Sequence, residues 1–177
     1  KVKGEADREA LYQRTRWGVV VAQSPTTHTV FSMRASYHGK ELSGFDQILA
    51  MQRLRSVDQV LKFAPKIPLG FNLFLADKKD IGYAYCGLMP RRSTALDPRF
   101  PTPGEPQYDW RGVKPLASVI HVKNPKGGLM VNWNNKPTAE FPNLDTPAWG
   151  AIFRNEILLR ALPSGSIGRE DLVAAIR

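Results

Sequence analysis

Cysteine is almost absent from this sequence: Cys86 is the only one in 177 residues. No disulfide can form within the chain, a disulfide-stapled scaffold is excluded, and neither redox compartment is. Long hydrophobic runs are missing too. None approaches the ~20 residues that a membrane-spanning helix needs, so no membrane partner is expected. The first residues, Lys1-Val2-Lys3-Gly4-Glu5-Ala6-Asp7, hold neither an initiator methionine nor the apolar region of a signal peptide. The chain therefore reads as an excised or processed piece. Acidic residues are few, 16 against 25 Lys plus Arg, for a net charge of +9 and a pI near 9.9. Such a balance invites a nucleic-acid partner, and its test is an affinity that falls steeply with salt. The basic residues are dispersed, however, with Lys78-Lys79 and Arg91-Arg92 only pairs. Neither the aromatic recognition motif of an RNA-binding sheet nor zinc-finger spacing occurs, so no nucleic acid is expected. What remains is ample core material: 42% hydrophobic and 10% aromatic residues suit one folded unit rather than a disordered tail.

Periodicity divides the chain. Leu11 to Val21 reads as one strand, alternating at first and fully apolar after Gly18. Ser24-Pro25-Thr26-Thr27 is a turn, and His28 to Ala35 alternates as the partner strand. Ser43, three residues before Asp46, has the spacing of a capping box, opening a helix with Phe45, Ile48, Leu49 and Gln52 on one side. Ser56 with Gln59 opens a second helix, which Pro65 and Pro68 end. Residues 71–77 and 81–87 flank Lys78-Lys79-Asp80 as a hairpin, with Cys86 as a packed thiol. Six prolines and many polar residues fill Leu88 to Pro115. A loop of that length is functional or draped over a neighbour. Leu116 to Val122 returns as a strand. Thr146 caps a helix, Pro147 takes its first position, and the helix runs from Ala148 to Leu162 with Ile152, Ile157, Leu158 and Ala161 as its apolar stripe. A last amphipathic piece covers Gly168 to Arg177.

The chemistry concentrates between Gly127 and Pro137. Gly127-Gly128 reads as a turn that launches Leu129-Met130-Val131, a short strand entering a core. It ends in Asn132, Trp133, Asn134 and Asn135, and Pro137 stops further pairing. Crowded neutral amide donors are costly to bury unless something uses them. One use is an oxyanion hole, which holds the negative oxygen formed during a reaction. The other is a polar loop whose asparagines satisfy their own backbone through Asx-turns. Spacing leaves both open. Ser24, Ser36 or Ser93 could be imagined with His28, His38 or His121 as a serine–histidine pair, but no spacing favours it.

Several of these stretches carry a resemblance. The run Asn72 to Gly87, with Leu75-Ala76-Asp77 and Ile81-Gly82-Tyr83, resembles the penicillin acylase (penicillin amidase) family of amidases. So do Leu96 to Gly104, Tyr108-Asp109-Trp110-Arg111-Gly112 and Val131-Asn132-Trp133-Asn134-Asn135-Lys136-Pro137. Arg14-Thr15-Arg16-Trp17-Gly18 is similar to that family's Arg-Thr-x-His-Gly-Pro, with Trp17 and Val19 departing from it. The likeness covers nearly the whole chain in one order.

The resemblance implies an α+β fold, mainly antiparallel sheet with packed helices, forming part of the four-layer αββα sandwich of N-terminal-nucleophile (Ntn) hydrolases. Residues 1–177 would be a single partial domain from an internal portion of the β chain. Such enzymes cut an amide with an N-terminal serine whose own α-amine acts as base. Asn134 takes the place of the oxyanion donor, Asn132 that of its supporting neighbour, and Trp133 lies between them at the substrate. Arg154 takes the place of the arginine that orients the nucleophile end. The Pro98 carbonyl and the Asp145 carboxylate fall at two ligand positions of a structural calcium found in some members, an ion that favours hard oxygen ligands. Lys1 cannot be the nucleophile, whose segment would precede it, so the isolated chain is expected to be inactive. The implied partners are the remainder of the β chain, the α chain of the same precursor, and a small-molecule amide: a β-lactam side chain, an acyl-homoserine lactone or similar. Hydrolysis of linear carbon–nitrogen bonds in antibiotic metabolism, in the periplasm or outside the cell, completes the expectation. The contrasting expectation is a non-catalytic interaction module of the same fold.

Overall fold

The computed structural model describes residues 3–6, 9, 11–98, 100–138, 141 and 153–176. The first sheet is an antiparallel meander of β1 (Arg14–Thr15), β2 (Gly18–Ser24) and β3 (Thr29–Met33). The single strand expected over Leu11–Val21 is therefore broken, because Thr15 pairs with Gly18 across a tight turn at Arg16-Trp17. Gly18 makes that turn possible. Its φ is +140°, and a Cβ there would lie 2.0 Å from the Met33 carbonyl oxygen. A bulge between Val20 and Ala22 then offsets the pairing of β2 with β3.

Two helices follow. Helix α1 (Glu41–Met51) starts on the backbone turn in which Lys40 N–H donates to the Tyr37 carbonyl at 2.8 Å, with no side-chain cap. Ser43 thus lies inside the first turn and does not cap it. The expected apolar side of α1 also divides: Ile48 packs on the core, while Phe45 and Leu49 are about 60% exposed. Helix α2 (Val57–Phe63) is capped as expected, Ser56 Oγ accepting from Gln59 N–H at 3.2 Å. Gln59 Oε1 accepts in turn from Arg55 N–H at 2.8 Å, which ties the residue before the cap back to the first turn. A short 3-10 turn, Ala64–Lys66, carries the chain past Pro65.

The core lies where this helical connector meets the second sheet. β4 (Asn72–Ala76) and β5 (Ile81–Tyr85) form the predicted hairpin, and β8 (His121–Lys123) adds antiparallel to β5. Ile67, Ala64, Ala84 and Cys86 are fully buried, with Ile48, Met51, Leu61, Phe63 and Leu69 packed around them. Each large aliphatic side chain buried there contributes roughly 1.5–3 kcal/mol. The hairpin's motif residues serve this packing. Asp77 accepts three backbone hydrogen bonds, from Val57 at 2.9 Å, Lys79 at 2.8 Å and Asp80 at 2.9 Å, tying the start of α2 to the hairpin turn. These bonds hold its carboxyl down at about 2. A Cβ on Gly82 would lie 2.6 Å from Val57 Cγ1, so the helix can sit this close only over glycine. Tyr83 donates its hydroxyl to Asn72 Oδ1 at 2.6 Å across the ladder.

The Pro-rich segment is not one open loop. β6 (Leu88–Pro90) pairs with β7 (Val113–Pro115) and closes it at its base. The strand expected over Leu116–Val122 splits into a 3-10 turn, Leu116–Ser118, and β8. Burial of Leu116 and Ala117 under the sheet forces that turn before the chain can rejoin β5. Beyond the asparagine stretch lie α3 (Phe153–Ala161) and α4 (Arg169–Ile176). The expected helix start at Thr146-Pro147-Ala148, and Ile152, fall outside the described residues. Of the rest of its stripe, Leu158 is half-buried but Ile157 is 62% exposed.

Candidate active site

The asparagine stretch enters from a turn in which Gly128 N–H donates to the Pro125 carbonyl at 2.8 Å, with Gly128 at φ +65°. The strand expected at Leu129-Met130-Val131 does not form. These residues pair with no strand among the described residues and instead line a cleft of about 410 Å3. Its opposite wall is Leu158 and Leu162, with Leu172 of α4, and Phe74 of β4 closes one side. Three apolar residues between a left-handed glycine and an asparagine turn face the apolar side chains of two helices across the cleft, beside β4 but not paired with it.

Two interlocked side-chain-to-backbone bonds, the first an Asx-turn, shape the polar end. Asn132 Oδ1 accepts from Asn134 N–H at 2.8 Å, and Asn135 Oδ1 accepts from Trp133 N–H at 2.9 Å. Asn135 also donates from Nδ2 to the Lys136 carbonyl at 3.1 Å. Asn134 is held at φ +55°, a left-handed conformation that asparagine tolerates better than most residues. The two readings of this stretch thus divide among its members. Asn132 and Asn135 satisfy the backbone, while the Asn134 side-chain amide is exposed and bonds to no described residue. Both Asn132 and Asn134 reach the cleft.

The other expected site residues are placed as follows. Trp133 is 48% exposed and is not part of the cleft wall. Arg154 stands in the first turn of α3, the helix that carries Leu158 into the cleft, and its side chain lies outside the described residues. Asp145 is also outside them. Pro98 is half-buried on the wall of a second cleft. A calcium ion takes about six to eight oxygen ligands. Among the described residues no group of three or more acidic, histidine or cysteine side chains converges.

Internal nucleophiles find no support. Cys86 is buried, and burial pushes its thiol up to about 12, which leaves no thiolate near neutral pH. Ser24 Oγ accepts from Thr27 N–H and Ser93 Oγ from Ala95 N–H, while His121 Nδ1 lies 3.0 Å from the Ala117 carbonyl. Among the described residues no serine meets a histidine.

One constellation had no role assigned from sequence. Asp109 Oδ1 accepts from Trp17 Nε1–H at 2.6 Å, and Oδ2 accepts from Arg16. Two guanidinium groups lie over the Trp110 ring, Arg34 at 4.5 Å and Arg92 at 5.7 Å from its centre. Gly104 lets the Pro-rich segment press on the Trp17 ring, 3.0 Å from where a Cβ would stand. The Arg14–Gly18 and Tyr108–Gly112 motifs are therefore two halves of one contact. Their separation by some ninety positions concealed it.

Comparison with known proteins agrees with this architecture. The family model for penicillin amidase matches residues 1–177. Penicillin G acylase of Escherichia coli is 31% identical over 154 residues, 85% of this chain and 18% of that protein. The penicillin acylase 2 proenzyme of Pseudomonas sp. (strain SE83) is 30% identical over 146 residues, 78% of this chain and 18% of its own length. The chain thus spans about a fifth of the relatives it matches. In structure it superposes on a thermostable penicillin G acylase from Alcaligenes faecalis with a TM-score of 0.81 and 32% identity, over 90% of this chain and 29% of that one. The mixture of helices and antiparallel sheets is accordingly that of an Ntn hydrolase, as the sequence motifs led us to expect. On the full-length family match and these identities, the chain belongs to the penicillin amidase family.

Proposed function

We propose that this chain is an internal portion of the β chain of an amidase, and that Asn134 is its oxyanion donor. The observation that carries the reading is the Asn134 side-chain amide. It bonds to no described residue, stands at the rim of an apolar cleft, and is held by a backbone that Asn132 locks. A donor fixed before reaction stabilises developing charge without a reorganisation cost.

The chemistry runs through a nucleophile this chain does not supply. An N-terminal serine from the preceding part of the precursor would attack the amide carbonyl, its α-amine taking the proton. Carbonyl electrons move onto the oxygen, and Asn134 Nδ2 donates to that oxyanion. Collapse of the intermediate expels the amine, which takes up the proton. Water then releases the acid from the acyl-enzyme. Asn132 supports Asn134, Trp133 borders the substrate, and Arg154, entering on α3, orients the nucleophile end. The apolar walls of the cleft suit an acyl side chain, so the substrate class is a non-peptide amide such as a β-lactam side chain or an acyl-homoserine lactone. The partners are the rest of the β chain and the α chain of one precursor, consistent with a relative whose own name is a proenzyme. A role in antibiotic metabolism in the periplasm or outside the cell follows from the same reading.

A panel of chromogenic acyl-anilides tests it. Turnover is expected only when this chain is combined with the nucleophile-bearing polypeptide. Asn134→Ala in that assembly is expected to lower kcat by a factor of about 100–1000. Unchanged turnover in Asn134→Ala, or turnover by this chain alone, would overturn the assignment.

A further inference from the structure

The larger of the two clefts belongs to no part of this mechanism. It holds about 690 Å3 between β3 and the Pro-rich segment and shares no lining residue with the cleft at Asn134. A volume of roughly 300–1,000 Å3 is that of a small-molecule site. Aromatic surface is plentiful: Trp17, Phe31, Phe100, Tyr108 and Trp110 all border it, and Phe100 is 66% exposed.

Its electrostatics are one-sided. The two carboxylates on its wall are occupied, Asp109 by Arg16 and Trp17, and Glu105 by Gln107. Arg34, on the same wall, makes no ion pair or hydrogen bond among the described residues. Its only engagement there is a cation–π contact with Trp110, which holds the guanidinium on the cleft wall and leaves its five N–H donors available. A guanidinium held in this way matches a carboxylate, with which it can form two parallel hydrogen bonds.

We propose that this cleft binds a small aromatic carboxylate, its ring against Trp17 and Phe100 and its carboxylate on Arg34. Asp109 is a positioning residue for the site. It holds Trp17 against the Pro-rich segment and so keeps the two walls together.

The probe is 2-naphthoate, titrated into the purified protein by calorimetry and by quenching of tryptophan fluorescence. Saturable binding below about 1 mM is expected. 2-Naphthamide, which keeps the ring without the charge, and acetate, which keeps the charge without the ring, are each expected to bind at least about tenfold more weakly. Arg34→Ala is expected to weaken naphthoate about tenfold and Arg34→Lys less, since an ammonium keeps the charge but not the fork. Phe100→Ala, at an exposed position where folding is not at stake, should weaken naphthoate and naphthamide alike. The proposal is overturned by absence of saturation, by equal binding of naphthamide, or by binding that survives Arg34→Ala. Binding lost in Asn134→Ala and kept in Arg34→Ala would also overturn it, assigning the ligand to the other cleft. None of these results bears on amide turnover, so the two readings fail separately.

Discussion

Replacing Gly18 by alanine tests the turn that brings Trp17 to the Pro-rich segment. Two costs add at this position. The backbone sits at φ +140°, where an L side chain costs about 1–3 kcal/mol. The new Cβ would also stand 2.0 Å from the Met33 carbonyl oxygen and 2.6 Å from its carbon. Both are backbone atoms of a paired strand, so relief means breaking the Val19–Met33 register, an overpacking cost of about 1–3 kcal/mol. The sum is about 2–6 kcal/mol. In a chain of this length each kcal/mol moves Tm by about 2–4 °C, so a drop on the order of 10 °C is expected. Scanning calorimetry on the purified protein measures it. Gly127→Ala is the control: its Cβ meets nothing within 4 Å and its φ is not left-handed, so Tm should stay within about 1–2 °C. Equal stability of Gly18→Ala and the wild type would refute the reasoning, because the strand would have to tolerate a contact no relaxed backbone allows. A drop in both variants would refute it as well, by showing that glycine as such, not its place, sets the effect.

Two further outcomes follow from the titrating groups. The Cys86 thiol, raised to about 12 by burial, should resist iodoacetamide at pH 8 in the folded protein and react readily in denaturant; rapid labelling of the native protein, read by mass spectrometry, would contradict its packing. The Asp77 carboxyl, lowered from 3.8 to about 2 first by the Val57 amide and then by those of Lys79 and Asp80, is more acidic folded than unfolded. Its stabilisation is therefore complete above about pH 4 and lost as pH falls from there toward 2. Urea unfolding of Asp77→Asn across that window should show a flatter acid limb than the wild type, and parallel limbs would count against this linkage.

Sequence logic worked where structure is local. Ser56 and Gln59 announce α2 because a cap is a contact between near neighbours. Period-2 alternation around a three-residue turn announces β4 and β5 for the same reason. It failed where a distant partner decides. Ser43 looked like a cap, but an upstream backbone turn had already started α1. Leu129-Met130-Val131 looked like a strand, yet it lines a cleft against side chains of α3 and α4 and pairs with no strand among the described residues. Leu116 to Val122 had the apolar content of a strand but had first to fold Leu116 under the sheet. Leu11 to Val21 looked continuous because a hydrophobicity pattern carries no sign of φ.

The candidate site divides along the same line. Motif order alone was enough to assign the chain to its family and to the Ntn fold, since ordered motifs are properties of the chain itself. Local chemistry had offered Asx-turns as one of two readings of the asparagines, and Asn132 forms one. The bonds around Asn134 join residues two positions apart, but only the tertiary structure set the helix wall opposite its side-chain amide. It also joined Arg16 and Trp17 to Asp109, and set Arg34 against Trp110 above a cleft. Those meetings span roughly seventy-five to ninety-five positions, and at that separation only the packed fold determines which side chains touch.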